Sequence, residues 1–473
     1  MSPDHKIYLL DPKKLTPETI AVTFAKTSRS PQSFQEIASE LTEEKSAEFH
    51  EKWVVGYGHA SVAEHAVLHF AVENVSRLAV ETLESCRLAS YTEKSTRYQK
   101  WSPTDFHMPQ ELIGHQLESL YRETIEGLFS SYHESLVPLQ RLIQSENPKK
   151  MDESADAWER RIRSQYVDVC RFYLPAAALA NVGMTINARA LEHSISKMLS
   201  HPLIEVQKLG MELKRIGQEA MPTLVKYADP NPYLQRIASA LSDKTRNLAV
   251  EQPLADWCVL VDYDRCAENR ILAAALYRYG YIGYAQALRI VDNLSPDERN
   301  QMAKIILGDL DKYTIPLREL EYANFIFDVT IDQGAYFELK RHRIMTQTPQ
   351  QLTTHLGYAI PQGIVKAGLE SHFRAAMEKA QQAFLTIERW NPAAAAYVVP
   401  NAFNRRVLLQ FNLRSGEHLV ALRSAPNAHF SLRRLAQRIS DQIKAAAPLL
   451  GAYLRTNPAE TLQQVEREHF AQV

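Results

Sequence analysis

The hydrophobic pattern changes period several times along the chain. In "YANFIFDVTIDQG" the apolar residues Phe325, Phe327, Val329 and Ile331 alternate with mostly polar neighbours. That period of two predicts a half-buried strand, with Gly334 closing it. The next stretch, "AYFELKRHRIM", reads as a helix. "HAVLHFAVENVS" and "RLAVETLESCR" predict the same strand-then-helix order earlier on, followed by the hydroxyl-rich loop "LASYTEKSTRY". Two further helices carry apolar residues on the 3.6-residue period, at Ile204, Leu209, Leu213 and Ile216, and at Leu432, Leu435, Ile439 and Ile443. Another opens at "SPDERNQMAKIILGDL", where Ser295 and Glu298 are spaced as a capping box and Pro296 lies in the first turn. Helices outnumber strands, and the two alternate. The expected class is α+β, each domain an antiparallel-rich sheet flanked by long helices.

The same pattern occurs twice. "LPAAALANVGMTINARALEH" and "VPNAFNRRVLLQFNLRSGEH" share Pro175 with Pro400, Asn187 with Asn412, Arg189 with Arg414, Glu192 with Glu417 and His193 with His418, all at one offset. Each segment leads into one of the long periodic helices, and each helix stops at a proline, Pro222 or Pro448. Upstream, "EHAVLHF" is echoed by "EYANFIF". We therefore expect two tandem domains, residues 1–227 and 254–473, joined by a polar, proline-containing connector at 228–253.

Composition narrows the chemistry. The 54 Lys and Arg nearly cancel 55 Asp and Glu across 473 residues, leaving a formal charge of −1 and no global field to attract nucleic acid. Four cysteines without a CxxC pair give no zinc-ligand spacing and suggest a reducing compartment. The N-terminus lacks the order of a signal peptide and no apolar run reaches membrane-spanning length, so the expectation is a cytoplasmic protein with no membrane partner and no metal. Tyr277, Tyr279, Tyr281 and Tyr284 recur at spacings that suggest core packing.

Against this neutral background, Lys340, Arg341, His342 and Arg343 form a local concentration of positive charge. Such a run is either a solvated helix face or an anion site. Asn187 with Arg189, and Asn412 with Arg414, are likewise suited either to capping and pairing at a strand-to-helix junction or to contacting a ligand.

The segments "HASVAEHAVLHFAVENVSRL…CRLASYTEKSTRY" and "RFYLP…TINARALEH", with "RHRI" and "NLRSGEHLVALR" in the second half, resemble the flavin-dependent thymidylate synthases (ThyX-like). The signature of that family is an Arg-His-Arg triplet followed by a Ser-x-Arg loop. The resemblance covers most of the chain, as two family domains in tandem, and each has lost a different part. The first has Ser85, Cys86 and Arg87 in place of the triplet but keeps Glu93, Ser95, Arg97 and Tyr98 of the nucleotide loop. The second keeps Arg341, His342 and Arg343, while Gln351 and Thr353 replace the loop's serine and arginine. Arg171 matches a nucleotide-binding arginine that the second copy replaces with Ala396. Arg423 matches the arginine that contacts the uracil ring, where the first copy offers Lys197 or Met198.

The resemblance implies an FAD-dependent thymidylate synthase, converting dUMP to dTMP with methylene-tetrahydrofolate and NADPH as co-substrates. It assigns Glu93, Ser95, Arg97 and Arg171 to dUMP, and Arg423 to stabilising charge on the ring. It assigns Arg341, His342, Arg343, Asn412, Arg414, His418, Asn187, Arg189 and Ser61 to FAD. Family members are homotetramers with sites shared between subunits, so a homodimer of tandem chains with composite sites is implied. Two alternatives stand beside this: a flavin- and nucleotide-binding homologue without synthase chemistry, and a flavin enzyme acting on another uracil-like ring.

Overall fold

The computed structural model of the protein describes residues 6–96, 99–245, 248, 256–311 and 313–471. Among these residues no helix is long and apolar enough to cross a membrane. The chain forms two compact units that do not follow the halves of the sequence. One comprises residues 1–95, 104–122 and 177–251, and the other residues 96–103, 123–176 and 252–473. Part of the first sequence copy, including the helix Ala155–Cys170, therefore belongs to the second unit. The segment expected as a connector carries a helix, Pro232–Thr245.

The first unit is built on three strands, β1 (Val67–Ser76), β2 (Ala89–Glu93) and β3 (Leu179–Asn187), in the order β1-β3-β2 with every pairing antiparallel. Ser76 ends β1 and caps the helix Arg77–Leu83, its hydroxyl accepting from Ala79 N. Asn187 ends β3 and caps Ala188–Leu199 in the same way.

The second unit repeats this plan with one more strand. Its sheet is β4 (Cys258–Tyr263), β5 (Asn324–Asp332), β6 (Thr346–Pro349) and β7 (Asn404–Asn412), in the order β4-β5-β7-β6 and again antiparallel. β7 occupies the central place that β3 holds in the other sheet. The duplication reaches the register, since Asn187 faces Val67 and Asn412 faces Asn324. A bulge in β1 between Val72 and Val75 inserts one residue that β5 lacks. Asn74 sits there at φ 55°, its N–H donated to Asn181 Oδ1 at 3.0 Å. This one residue shortens the offset between the copies by one along the strand, from Val67 with Asn324 before the bulge to Ser76 with Asp332 after it.

Alternation in β5 is as expected, with Phe325, Phe327, Val329 and Ile331 all buried. The Phe327 and Phe411 rings stack at 5.5 Å between β5 and β7. Over them lie the buried Leu432, Leu435, Ile439 and Ile443 of the helix Phe430–Ala446. Gly416, on the helix Leu413–Arg423, lets that helix lie close against the Phe411 ring, because a Cβ there would stand 2.9 Å from Phe411 Cε2. The capping box at Ser295 and Glu298 is formed and starts the helix Pro296–Leu307.

Five local expectations are corrected. Gly334 does not close β5, which runs to Asp332 and passes directly into the helix Gln333–Leu339 with Asp332 as its cap. That helix stops at Leu339, so Lys340, Arg341, His342 and Arg343 lie in a turn and not on a helix. The cause is downstream, where Met345 enters the core and the chain must extend to pair β6 with β7. "RLAVETLESCR" likewise stops being helical at Leu83. "LASYTEKSTRY", expected as a loop, contributes strand β2 at Ala89–Glu93, because its backbone pairs with the edge of β3. Finally, Tyr277, Tyr279 and Tyr281 are 56, 64 and 104% exposed, because they lie on the last turn and exit of the helix Ala267–Gly280, beyond its buried stretch Ile271–Ala275.

Candidate functional site

Four polar side chains converge in the second unit. Glu338 is the penultimate residue of Gln333–Leu339, a helix buried along its whole length. Arg423 is the last residue of Leu413–Arg423, which Asn412 starts by accepting from Ser415 N at 2.9 Å. His342 lies in the turn after Leu339, where Gln347 Nε2 donates to its carbonyl at 2.9 Å. Arg171 comes from the short turn after Ala155–Cys170, its carbonyl accepting from Asn401 Nδ2 at 2.9 Å.

The backbone beside Arg171 is tied to its own repeat equivalent. Pro175 and Pro400 form an antiparallel bridge, with Ala176 N donating to Val399 O at 3.0 Å and Asn401 N donating to Leu174 O at 2.9 Å. Each bond is the repeat image of the other. The two equivalent segments therefore meet about a local two-fold axis, as identical patches do in an isologous contact.

Arg171 places both terminal nitrogens on one oxygen of Glu338, at 3.0 and 3.1 Å, and reaches Thr96 Oγ1 at 3.3 Å. Arg423 NH1 approaches the other oxygen at 3.5 Å, NH2 donates to the Glu338 carbonyl at 3.0 Å, and Nε donates to His342 Nε2 at 2.8 Å. An arginine cannot give up its proton here, so His342 Nε2 must be the acceptor and the imidazole proton sits on Nδ1. Burial, the neighbouring Arg423 charge and His418 together push His342 down to about 3. The imidazole is neutral. The side chains of Arg171, Glu338 and Arg423 are 3, 10 and 14% exposed, so charge is concentrated where water screens it poorly.

The other expected site residues are distributed as follows. Arg341 is exposed and Arg343 half-buried in the same turn, and the exposed His418 lies 5.7 Å, ring to ring, from His342. Asn412 and Asn187 both cap helices. Arg414 pairs with Glu321 at 2.7 Å and donates to Pro316 O, while Arg189 pairs with Glu64. Those two ion pairs are repeat images. Glu93 lies in the first unit as a buried partner of Arg77 at 3.0 Å, and Ser95 is half-buried beyond it. Arg97 and Tyr98 fall outside the described residues. Ser61 lines a first-unit cavity of about 350 Å³ with Trp53, His59 and Arg29, whose guanidinium lies 4.8 Å over the Trp53 ring. In the first unit Lys197 donates to Ser85 Oγ at 2.9 Å, while Met198, the repeat equivalent of Arg423, is buried.

The structure thus brings Arg171, His342, His418 and Arg423 together in the second unit, with Arg341 and Arg343 in the same turn as His342; Ser61, Glu93 and Ser95 belong to the first unit. Sequence reasoning missed Glu338 and Thr96. Glu338 had one available signal, as the lone acid in "AYFELKRHRIMTQTPQQL".

Comparison with known proteins agrees with the duplication. The family described as thymidylate synthase complementing protein matches residues 10–223 and again residues 259–449. A UPF0159 protein from Chlamydia muridarum is 32% identical over 435 residues, covering 88% of this chain and 82% of that protein. A flavin-dependent thymidylate synthase from Clostridium tetani is 28% identical over 217 residues, covering 46% of this chain and 83% of that enzyme. The solved flavin-dependent thymidylate synthase ThyX of Helicobacter pylori, complexed with FAD and dUMP, aligns with 42% of this chain and 99% of its own at 15% identity. Its TM-score of 0.31 is too low to carry geometry across. The chain belongs to the thymidylate synthase complementing protein family and carries two of its domains in tandem.

Proposed function

We propose that the protein is an FAD-dependent thymidylate synthase, methylating dUMP to dTMP with methylene-tetrahydrofolate and NADPH. The observation that carries this reading is the convergence of Arg171 and Arg423, each kept by one repeat and lost by the other, within 3.5 Å of one carboxylate. Two independent losses that leave complementary survivors side by side are what a shared site requires.

The residues suit the groups involved. Lys340, Arg341 and Arg343 surround one turn, and residues 340–353 contain no acid, a donor set fitting a diphosphate such as that of FAD. FAD, when bound, supplies the reducing equivalents, which NADPH restores. Arg423 is oriented by its bond to neutral His342 and would stabilise negative charge developing on the pyrimidine, most effectively where water is excluded. Arg171 would hold the other side of the same ligand. Ser61, Asn187, Arg189, Asn412, Arg414 and His418 are proposed to contact FAD, and Glu93, Ser95 and Arg97 to contact the nucleotide. We propose self-association as a homodimer of tandem chains, which light scattering would measure.

A second reading, binding without synthase chemistry, is favoured by Glu338, which already neutralises one of the two arginines. One experiment separates the readings. Purified protein should show flavin absorbance and release the uracil C5 hydrogen of dUMP in the presence of methylene-tetrahydrofolate and NADPH. Flavin without hydrogen release supports the binder, and a colourless protein that takes up no FAD rejects both.

A further inference from the structure

We infer that Glu338 sets the charge that the second unit's site accepts, excluding dianionic phosphate from between Arg171 and Arg423 and favouring an uncharged ligand there. The inference rests on those arginines facing a ligand, as proposed above. With His342 neutral, Arg171, Arg423 and Glu338 between them carry a single net positive charge. Asp332, buried close by and pushed up by that burial, can only lower it. A phosphate monoester brings nearly two negative charges at neutral pH. Binding it beside Glu338 sets two anions against each other, whereas displacing Glu338 leaves a carboxylate to be rehoused in a site only 10% exposed. Both routes are unfavourable.

An uncharged heterocycle meets neither obstacle. Among the described residues, Arg171 Nε is buried without a hydrogen-bond partner. It needs one acceptor oxygen, and a ring carbonyl supplies a lone pair without adding charge. In this arrangement the arginines of the second unit read the ring, and a nucleotide's phosphate must be held elsewhere.

The test is the binding of inorganic phosphate at constant ionic strength, by calorimetry, to wild type and Glu338→Gln. Removing the carboxylate should tighten phosphate binding roughly ten- to a hundredfold, and the gain should vanish in the Glu338→Gln/Arg423→Met double variant. Two results overturn the inference: a folded Glu338→Gln without the gain, or wild-type phosphate binding that Arg423→Met abolishes. Should Glu338→Gln fail to fold, Glu338→Asp carries the test. A carboxylate one methylene shorter cannot serve both arginines and should give a smaller gain, whereas an unchanged phosphate affinity in folded Glu338→Asp overturns the inference. Deoxyuridine and dUMP then separate this from the functional reading. A phosphate gain with no binding of either pyrimidine rejects the uracil assignment alone, and pyrimidine binding with no phosphate gain in folded Glu338→Gln rejects the charge selection alone.

Discussion

Arg171 and Arg423, one from each sequence repeat, hold opposite oxygens of Glu338, at 3.0 Å and 3.5 Å. Their repeat equivalents are Ala396 and Met198, so neither copy alone could build this arrangement. The ion pair is also a commitment in stability, because its members are buried and a single survivor would be an uncompensated charge.

Arg171→Met should therefore destabilise the fold by about 3 kcal/mol, measured as a fall in the urea midpoint. Adding Glu338→Met alone should restore little, since it leaves the buried Arg423 without its carboxylate, whereas the triple variant with Arg423→Met, which replaces every charge of the cluster by an apolar side chain, should restore most of the loss. If Arg171→Met/Glu338→Met is already as stable as the triple variant, Arg423 is not a partner that matters.

Acid should weaken the fold through His342. Its folded value of about 3 lies below the ordinary 6.5, so the unfolded chain takes up a proton that the folded one refuses. Stability from this group is complete above 6.5 and is lost as pH falls from there towards 3, at about 1.4 kcal/mol per unit. His201 and His469, both lowered to about 4 mainly by burial, add to the slope down to that pH. His342→Gln, which keeps an acceptor for Arg423, should reduce the loss between about pH 7 and about pH 5 by roughly 2 kcal/mol. Denaturant midpoints at the two pH values provide the check.

The two repeat-related ion pairs should differ in worth. Arg189 and Glu64 are 52 and 42% exposed, and Arg414 and Glu321 are 30 and 28% exposed. Arg189→Ala should cost less than about 1 kcal/mol. Arg414→Ala also loses the bond to Pro316 O and should cost about 1–2 kcal/mol. Equal effects would mean that burial does not govern these pairs.

Asn412 offers a way to separate capping from flavin contact. Asn412→Ala should cost about 1 kcal/mol, and Asn412→Asp close to nothing, because a carboxylate caps as well as an amide. If the amide also holds FAD, Asn412→Asp should keep its thermal midpoint yet bind flavin more weakly. Unchanged flavin affinity in Asn412→Asp would assign the residue to capping alone.

Sequence by itself determined the repeat, through one shared offset, and the strands β1 and β5 and the helix starts, because these last are written in neighbouring residues. Alternation in Phe325–Ile331 fixes which face is buried, Ser295 with Glu298 closes a capping box three residues long, and one offset relates Asn187 and His193 to Asn412 and His418. It also singled out Arg171 and Arg423, through what each copy lacks, and these two share one carboxylate in the second unit. Tertiary structure decided the rest. The helix expected through Met345 ends at Leu339 because Met345 must reach the core and β6 must pair with β7, a demand from residues some sixty positions away. Glu338 is separated from Arg171 by 167 positions and from Arg423 by 85. Local periodicity has no memory over such distances, so an acid within an apolar helix gives no sign of its partners until the backbone closes around it.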